Sequence, residues 1–340
     1  MSAEGFARPR RRTLILAVLV LAALVIASLA TGYGEWRLRH PQTLRTGLRA
    51  WSSAMFSPSG EAIGVLGYVD EREERLVFRL LSASDGHVIW DLALRNDVRI
   101  VSISFSPSGG LVAVADSEGV SVYSTADASL VRRIGEDLQV FGEALPWSAS
   151  GRVIAVNRED GLAFRSVVDG ALVLLLRDRA SYSEHRFCYK GGEWLSFVGD
   201  DLLAAFDVHG LDIFSIHERK IVRRLDTLGS SPAAFSPRGD RFVCTLDRPR
   251  WRLAVYSLPE GERLAALEAP GLYERPIALS RDGEILAWHG DDGITIASVA
   301  TGRVLRRVKS QGELVFSPTA DLLAVSRSEQ GVIELWPFRR

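Results

Sequence analysis

The sequence predicts an all-β fold, a seven-bladed β-propeller of four-stranded antiparallel blades, preceded by one N-terminal transmembrane helix. Two observations carry this expectation. A unit recurs about seven times, and an uncharged apolar run stands ahead of its first copy. Each unit opens on an apolar-Ser-Pro-x-Gly turn, as at Phe56-Ser57-Pro58-Ser59-Gly60, Phe105-Ser106-Pro107-Ser108-Gly109 and Phe235-Ser236-Pro237-Arg238-Gly239. Looser copies start at Trp147, Leu279 and Phe316, and a degenerate one near Phe197 fills the remaining gap. The spacing averages about 43 residues, the length of a four-stranded blade.

Taken from the N-terminus, residues 1–12 form a basic tail containing Arg8, Arg10, Arg11 and Arg12. Thr13 to Ala30 then carries no charge, and residues 13–33 are long enough for a helix to cross a bilayer. Fewer arginines, Arg37 and Arg39, follow close behind. The asymmetry favours a cytoplasmic N-terminus, a single-pass signal anchor and an exported propeller, periplasmic or extracellular. The rival reading is a cleaved signal peptide, because Ser28-Leu29-Ala30 has the small-x-small pattern of a cleavage site. The apolar run exceeds the usual signal core of about 7–15 residues. Arg11-Arg12-Thr13-Leu14-Ile15 also faintly resembles a twin-arginine export signal.

A short linker, residues 34–41, leads into the propeller, residues 42–340. Pro presets the second turn position and Gly supplies the positive φ that closes the turn. The strand that follows is continuously apolar, as in Val112-Ala113-Val114 and Leu323-Ala324-Val325, the signature of a strand buried on both faces. The next strand alternates after a Gly, as in Gly119-Val120-Ser121-Val122-Tyr123. A turn such as Asp85-Gly86 or Asp169-Gly170 then leads to a fourth strand. The seventh unit stops at Trp336-Pro337-Phe338-Arg339-Arg340 without its fourth strand. Gln42 to Leu48 is expected to supply it beside Val332 to Trp336, since an apolar sheet edge left open invites aggregation.

Over roughly residues 36–338 these units resemble the WD40 and WD40-like repeat proteins, in a divergent, bacterial-style, YVTN-like form. The resemblance implies a propeller whose usual role is to hold other molecules. The Trp-Asp dipeptide that names the family should end a third strand, yet Trp90-Asp91 falls in a fourth. Gly86-His87 and His209-Gly210 also miss the family's positions. The polar network of strong WD repeats is therefore expected to be absent, with packing alone holding the blades.

Charged residues make up 24% of the chain and the formal net charge is −1, so no electrostatic footprint for nucleic acid exists. The six histidines stand without ligand spacing, and no Cys-x-x-Cys, Gly-x-Ser-x-Gly or phosphate-loop motif occurs. No catalytic residue, cofactor or metal site is assigned. Asp116, Asp160, Asp247, Asp291 and Asp292 fall in hairpins, where Asp ordinarily serves the turn. Cys188 and Cys244 read as packed thiols, with a disulfide between adjacent blades left open. Arginine pairs recur in the fourth strands, at Arg132-Arg133, Arg223-Arg224 and Arg306-Arg307. They guard exposed edges or form a basic rim toward anionic lipid or an acidic partner.

The expected function is a membrane-anchored, non-catalytic protein-interaction scaffold. One alternative is an exported propeller enzyme, lactonase-like or quinoprotein-like, with a loop-built site at the channel mouth. Another is a structural subunit of an envelope complex. Candidate partner contacts are Tyr182, Trp251, Tyr273 and Asp291, on the face opposite the Ser-Pro-x-Gly turns. Trp288 sits in an apolar run and reads as packing between blades.

Overall fold

The computed structural model describes residues 40–49, 54–69, 75–95, 100–135, 145–158, 161–177, 195–207, 210–225, 234–246, 252–272 and 277–339. The expected transmembrane helix and most of the linker lie outside these residues. Among the described residues no helix is long and apolar enough to cross a membrane.

Among the described residues seven antiparallel sheets follow one another along the chain, six of them with their strands in meander order. Blade 1 is typical, with strands Met55–Phe56, Ala62–Tyr68, Leu76–Ser82 and Val88–Ala93 from inside to outside. Blade 3 has three full strands, Val153–Arg158, Gly161–Ser166 and Leu172–Arg177. Its innermost position is reduced to the bridge between Trp147 and Ile154, because Pro146 beside it has no N–H to give to a ladder. Trp90-Asp91 lies in the outermost strand of blade 1, as expected.

Blade 7 closes the ring with residues from the start of the chain. Its strands Glu313–Phe316, Leu322–Arg327 and Val332–Pro337 are completed by Gln42–Arg45, which pairs with the last of them. Gln42 faces Leu335, Thr43 faces Glu334, Leu44 faces Ile333 and Arg45 faces Val332. The Thr46 N–H adds one more bond to the Gly331 carbonyl at 2.9 Å. The strand stops short of the expected Leu48 because Gly47, at φ 64°, turns the chain away. Leu48 still packs into the seam between blades 7 and 1, together with Leu44, Ile63 and Val77.

The second strands read as unbroken apolar runs because both of their faces are covered. Ala113, Val114 and Ala115 are buried, and so are Leu323, Ala324 and Val325. The cores lie between blades rather than within them. Ala113, Val120 and Val122 of blade 2 pack on Trp147, Ile154 and Val156 of blade 3. Trp288 is buried in the seam of blades 5 and 6, with Val243 and Leu253 of blade 5, as the sequence suggested.

The repeated turns depend on their serine more than on their proline. The hydroxyls of Ser57, Ser106, Ser148, Ser236 and Ser280 accept the N–H five residues on, at 2.9–3.1 Å. This bond persists where Pro is replaced by Ala149 or Arg281. Gly239, at φ 72°, is needed twice over: a Cβ there would also collide with the Phe197 carbonyl of the neighbouring blade.

Aspartates organise the turns between third and fourth strands. Asp85, Asp127 and Asp169 each accept the N–H two residues on, at 3.1–3.3 Å. A hydrogen bond from Ser82, with further help from His87, lowers the Asp85 pKa to about 2. Bonds from Ser129 and from Ser166 likewise lower Asp127 and Asp169. A depressed carboxylate stabilises the fold above its unfolded value, about 3.9, and that contribution is lost as pH falls through the folded value. The melting temperature should therefore fall between about pH 4 and about pH 2. Thermal melts of the triple variant D85N/D127N/D169N should show a shallower acid slope, and an unchanged slope would refute the assignment.

Candidate functional site

The ring presents two unlike faces. One, the turn face, carries the Ser-Pro-x-Gly turns and the turns into the fourth strands. The other, the connection face, carries the fourth-to-first connections and the hairpins between second and third strands. Of the four expected partner contacts, Tyr182, Trp251 and Tyr273 lie outside the described residues. Asp291 is exposed at the tip of the hairpin between Ile285–Gly290 and Gly293–Ser298 on the connection face. Gly271, at φ 68°, lies so close to Asp291 that no side chain fits between them. The two loops therefore support each other, while Asp291 and Asp292 stay open to solvent.

Asp116 serves its hairpin, accepting the N–H groups of Glu118 at 2.7 Å and Gly119 at 3.0 Å. Among the described residues, no group of three or more His, Cys, Asp or Glu side chains is arranged to hold a metal. Cys244 is a free, fully buried thiol. Burial pushes its pKa up to about 12, which removes the thiolate needed for reactivity. Cys188 lies outside the described residues.

Blade 7 carries a buried polar network of its own, distinct from the one whose absence the sequence suggested. Glu334 on its third strand is buried and accepts three bonds: from Arg327 at 2.9 Å, Ser310 at 2.7 Å and the Trp336 indole at 3.0 Å. Partial burial raises its pKa, but the bonds from Arg327, Ser310 and Trp336 outweigh that and hold it below the usual range. Ser310 belongs to the connection from blade 6, so the network ties that connection to the closing blade. Nearby, a ring nitrogen of His289 reaches the Gly312 carbonyl at 2.9 Å. In the seam of blades 5 and 6, the Trp288 indole N–H finds no acceptor among the described residues.

Three of the six outer-strand arginines, Arg223, Arg224 and Arg306, are committed to structure. Arg224 forms a two-pronged pair with Asp212 on its own blade, at 2.7 Å through each nitrogen. Arg223 donates to the Glu260 carbonyl in the next blade's turn at 2.6 Å. Arg306 does the same to the Pro337 carbonyl and lies over the Trp336 ring. In these two pairs the first arginine thus straps one blade to the next. Such a role was invisible in sequence, because each acceptor is a main-chain carbonyl some 30 residues away.

On the turn face, blades 5, 6 and 7 surround a cavity of about 190 Å³. Arg238, Arg281, Asp282, Asp321, Phe338 and Arg339 stand among its walls. Arg339 pairs with Asp321 at 3.5 Å. Asp282 accepts the Ser280 hydroxyl at 2.6 Å and the Glu284 N–H at 3.0 Å. Phe338 is buried edge-on against Phe316. Arg238 and Arg281 make no hydrogen bond or ion pair with any described residue. The signal for them lay in the repeat: Arg238 stands where Ser59 and Ser108 stand in blades 1 and 2, and Arg281 where those blades have Pro.

No family model and no curated protein matches the sequence. The fold is similar to the β-propeller domain of Cps50 (Swd1) from Myceliophteria thermophila, with a TM-score of 0.65 and 17% identity over 88% of this chain and 99% of that one. It is also similar to a chain in the crystal structure of the mitotic checkpoint complex, with a TM-score of 0.66 and 14% identity over 89% and 93%. At such identities the likeness is one of architecture. Together with the seven sheets it establishes a seven-bladed β-propeller fold.

Proposed function

We propose that this propeller is a membrane-anchored, non-catalytic scaffold that holds a protein partner on its exported side. The scaffold reading is supported by the fold it shares with a chain of a multi-protein assembly. The observation that carries the anchored reading is where the chain joins the ring. Gln42 begins the closing strand at the turn face, where its side-chain amide donates to the Ser84 carbonyl in the outer turn of blade 1.

Residues 13–33 are uncharged and of spanning length, and about nine residues separate Tyr33 from Gln42. Even fully extended, that linker reaches only about 30 Å. The turn face then lies against the bilayer and the connection face, with Asp291, is open to a partner. Alkaline carbonate should leave the full-length chain in the membrane pellet. A soluble chain with a mature N-terminus at Thr31 would instead establish a signal peptide. For orientation, single fluorophore-bearing cysteines at Ser59 and Asp291, in a cysteine-free background, are compared with a lipid-borne quencher. Stronger quenching at Ser59 is expected, and equal or stronger quenching at Asp291 would sink the orientation.

A further inference from the structure

We infer that the cavity between blades 5, 6 and 7 on the turn face seats the phosphate of one anionic phospholipid headgroup, bound by Arg238 and Arg281. The inference rests on the anchored reading above, which brings this face to the bilayer.

Three observations meet at the cavity. The first is unused chemistry. In blades 1 to 3 the third turn residue is Ser59, Ser108 or Ser150, whose hydroxyl lies within hydrogen-bonding reach of the turn serine. In blades 5 and 6 an aspartate has taken over that contact: Ser236 donates to Asp240 at 2.8 Å and Ser280 to Asp282 at 2.6 Å. Arg238 is thereby freed from any duty in the turn, Arg281 occupies the Pro position, which has no such duty, and both stand exposed on the turn face. A guanidinium offers paired donors in a fork that matches two oxygens of a phosphate.

The second observation is size. The cavity is below the range of about 300–1,000 Å³ that holds drug-sized ligands, and its 190 Å³ suits a headgroup rather than a peptide. The third is position. Phe338 and Arg339 of blade 7 form part of the wall, and blade 7 is the blade that Gln42–Arg45 joins as it arrives from the N-terminus. The cavity therefore opens on the same face, and partly on the same blade, as the point where the chain from the anchor joins the ring.

The carboxylates on the rim sharpen the expectation. Asp282 and Asp321 oppose the gathering of a diffuse layer of anions, so binding is saturable, with one lipid per chain. Contact between this face and the bilayer then fixes the rotation of the ring as well as its distance from the membrane.

The test uses the full-length chain in nanodiscs of phosphatidylcholine with or without phosphatidylglycerol, released gently and weighed by native mass spectrometry. One phosphatidylglycerol should be retained per chain, and the double variant R238Q/R281Q should retain it about tenfold less. The variant R238K/R281K, which keeps charge but loses the fork, should fall between the two. Unchanged melting temperatures in both variants would show that the turns are intact, because Asp240 and Asp282 carry the hydroxyl contacts. Equal retention by the wild type and the glutamine variant overturns the inference. Displacement of the lipid by inorganic phosphate, with no preference for phosphatidylglycerol over phosphatidylcholine, assigns the cavity to a free oxyanion and also overturns it. A chain that stays in the membrane in carbonate yet shows no preference leaves the anchored reading standing and removes this one alone. A chain that washes out of the membrane removes both.

Discussion

A chain beginning at Ala50 is expected to lose the closed ring, melting far below one beginning at Thr31 and associating with itself. The loss has two parts. Leu44 and Leu48 are each only 2% exposed, and full burial of a leucine stabilises by about 1.5–3 kcal/mol. Their removal costs roughly 3–6 kcal/mol before the hydrogen bonds of the closing ladder are considered. Total stabilities of natural domains are about 5–15 kcal/mol, so this one strand decides whether the ring persists. The second part concerns solubility. Without Gln42–Arg45 the strand Val332–Pro337 becomes an open edge, and open edges pair with other chains. Scanning calorimetry and size-exclusion chromatography read the two parts separately. Equal melting temperatures and a monomeric elution would show that the ring closes some other way.

Phe164→Ala should produce a large loss of stability from a single side chain. Phe164 is fully buried in the seam of blades 3 and 4. Its ring stacks on Phe214, with centroids 6.0 Å apart, and meets Phe197 edge-on at 6.1 Å. Truncating a buried phenylalanine costs about 3–5 kcal/mol through lost transfer energy and the remaining cavity. Val168→Ala, at a side chain 69% exposed in the adjoining turn, should change stability by less than about 0.5 kcal/mol. Urea titrations of both variants provide the measurement. A loss below about 1 kcal/mol for Phe164→Ala would mean that the seam relaxes around the gap or that the packing is otherwise.

These two residues also mark how far the sequence could be read. Blade number, strand order and the closing strand were all legible, because each leaves a local trace: a turn every 40-odd residues, a period of two, a missing last strand. The seam partners of Phe164 were not, since Phe197 and Phe214 belong to the next blade and nothing local marks which rings will meet. The same limit hid the Glu334 network. Ser310 and Glu334 are 24 residues apart, and neither sits in a motif. The straps from Arg223 and Arg306 end on main-chain carbonyls, which any residue supplies. Arg238 and Arg281 were visible as departures from the turn pattern, yet only the fold places them around one cavity with Arg339. For the candidate partner face, Asp291 alone has a described position, held against Gly271.

The pairing of Gln42 with Leu335 also bears on how the protein is made. Translation proceeds at about 5–20 residues per second. The partner of Gln42 therefore emerges roughly 15–60 s after it, and for all that time blade 7 does not exist. Six blades can be complete while the first strand waits unpaired. A polypeptide that stops anywhere before Val332 has no seat for Leu44, so premature termination leaves an open sheet edge however well the preceding blades have formed. Ring closure thus acts as a check on synthesis of the last blade, carried out by the product itself: only a chain read past Leu335 can hide Gln42–Arg45 from proteases and chaperones.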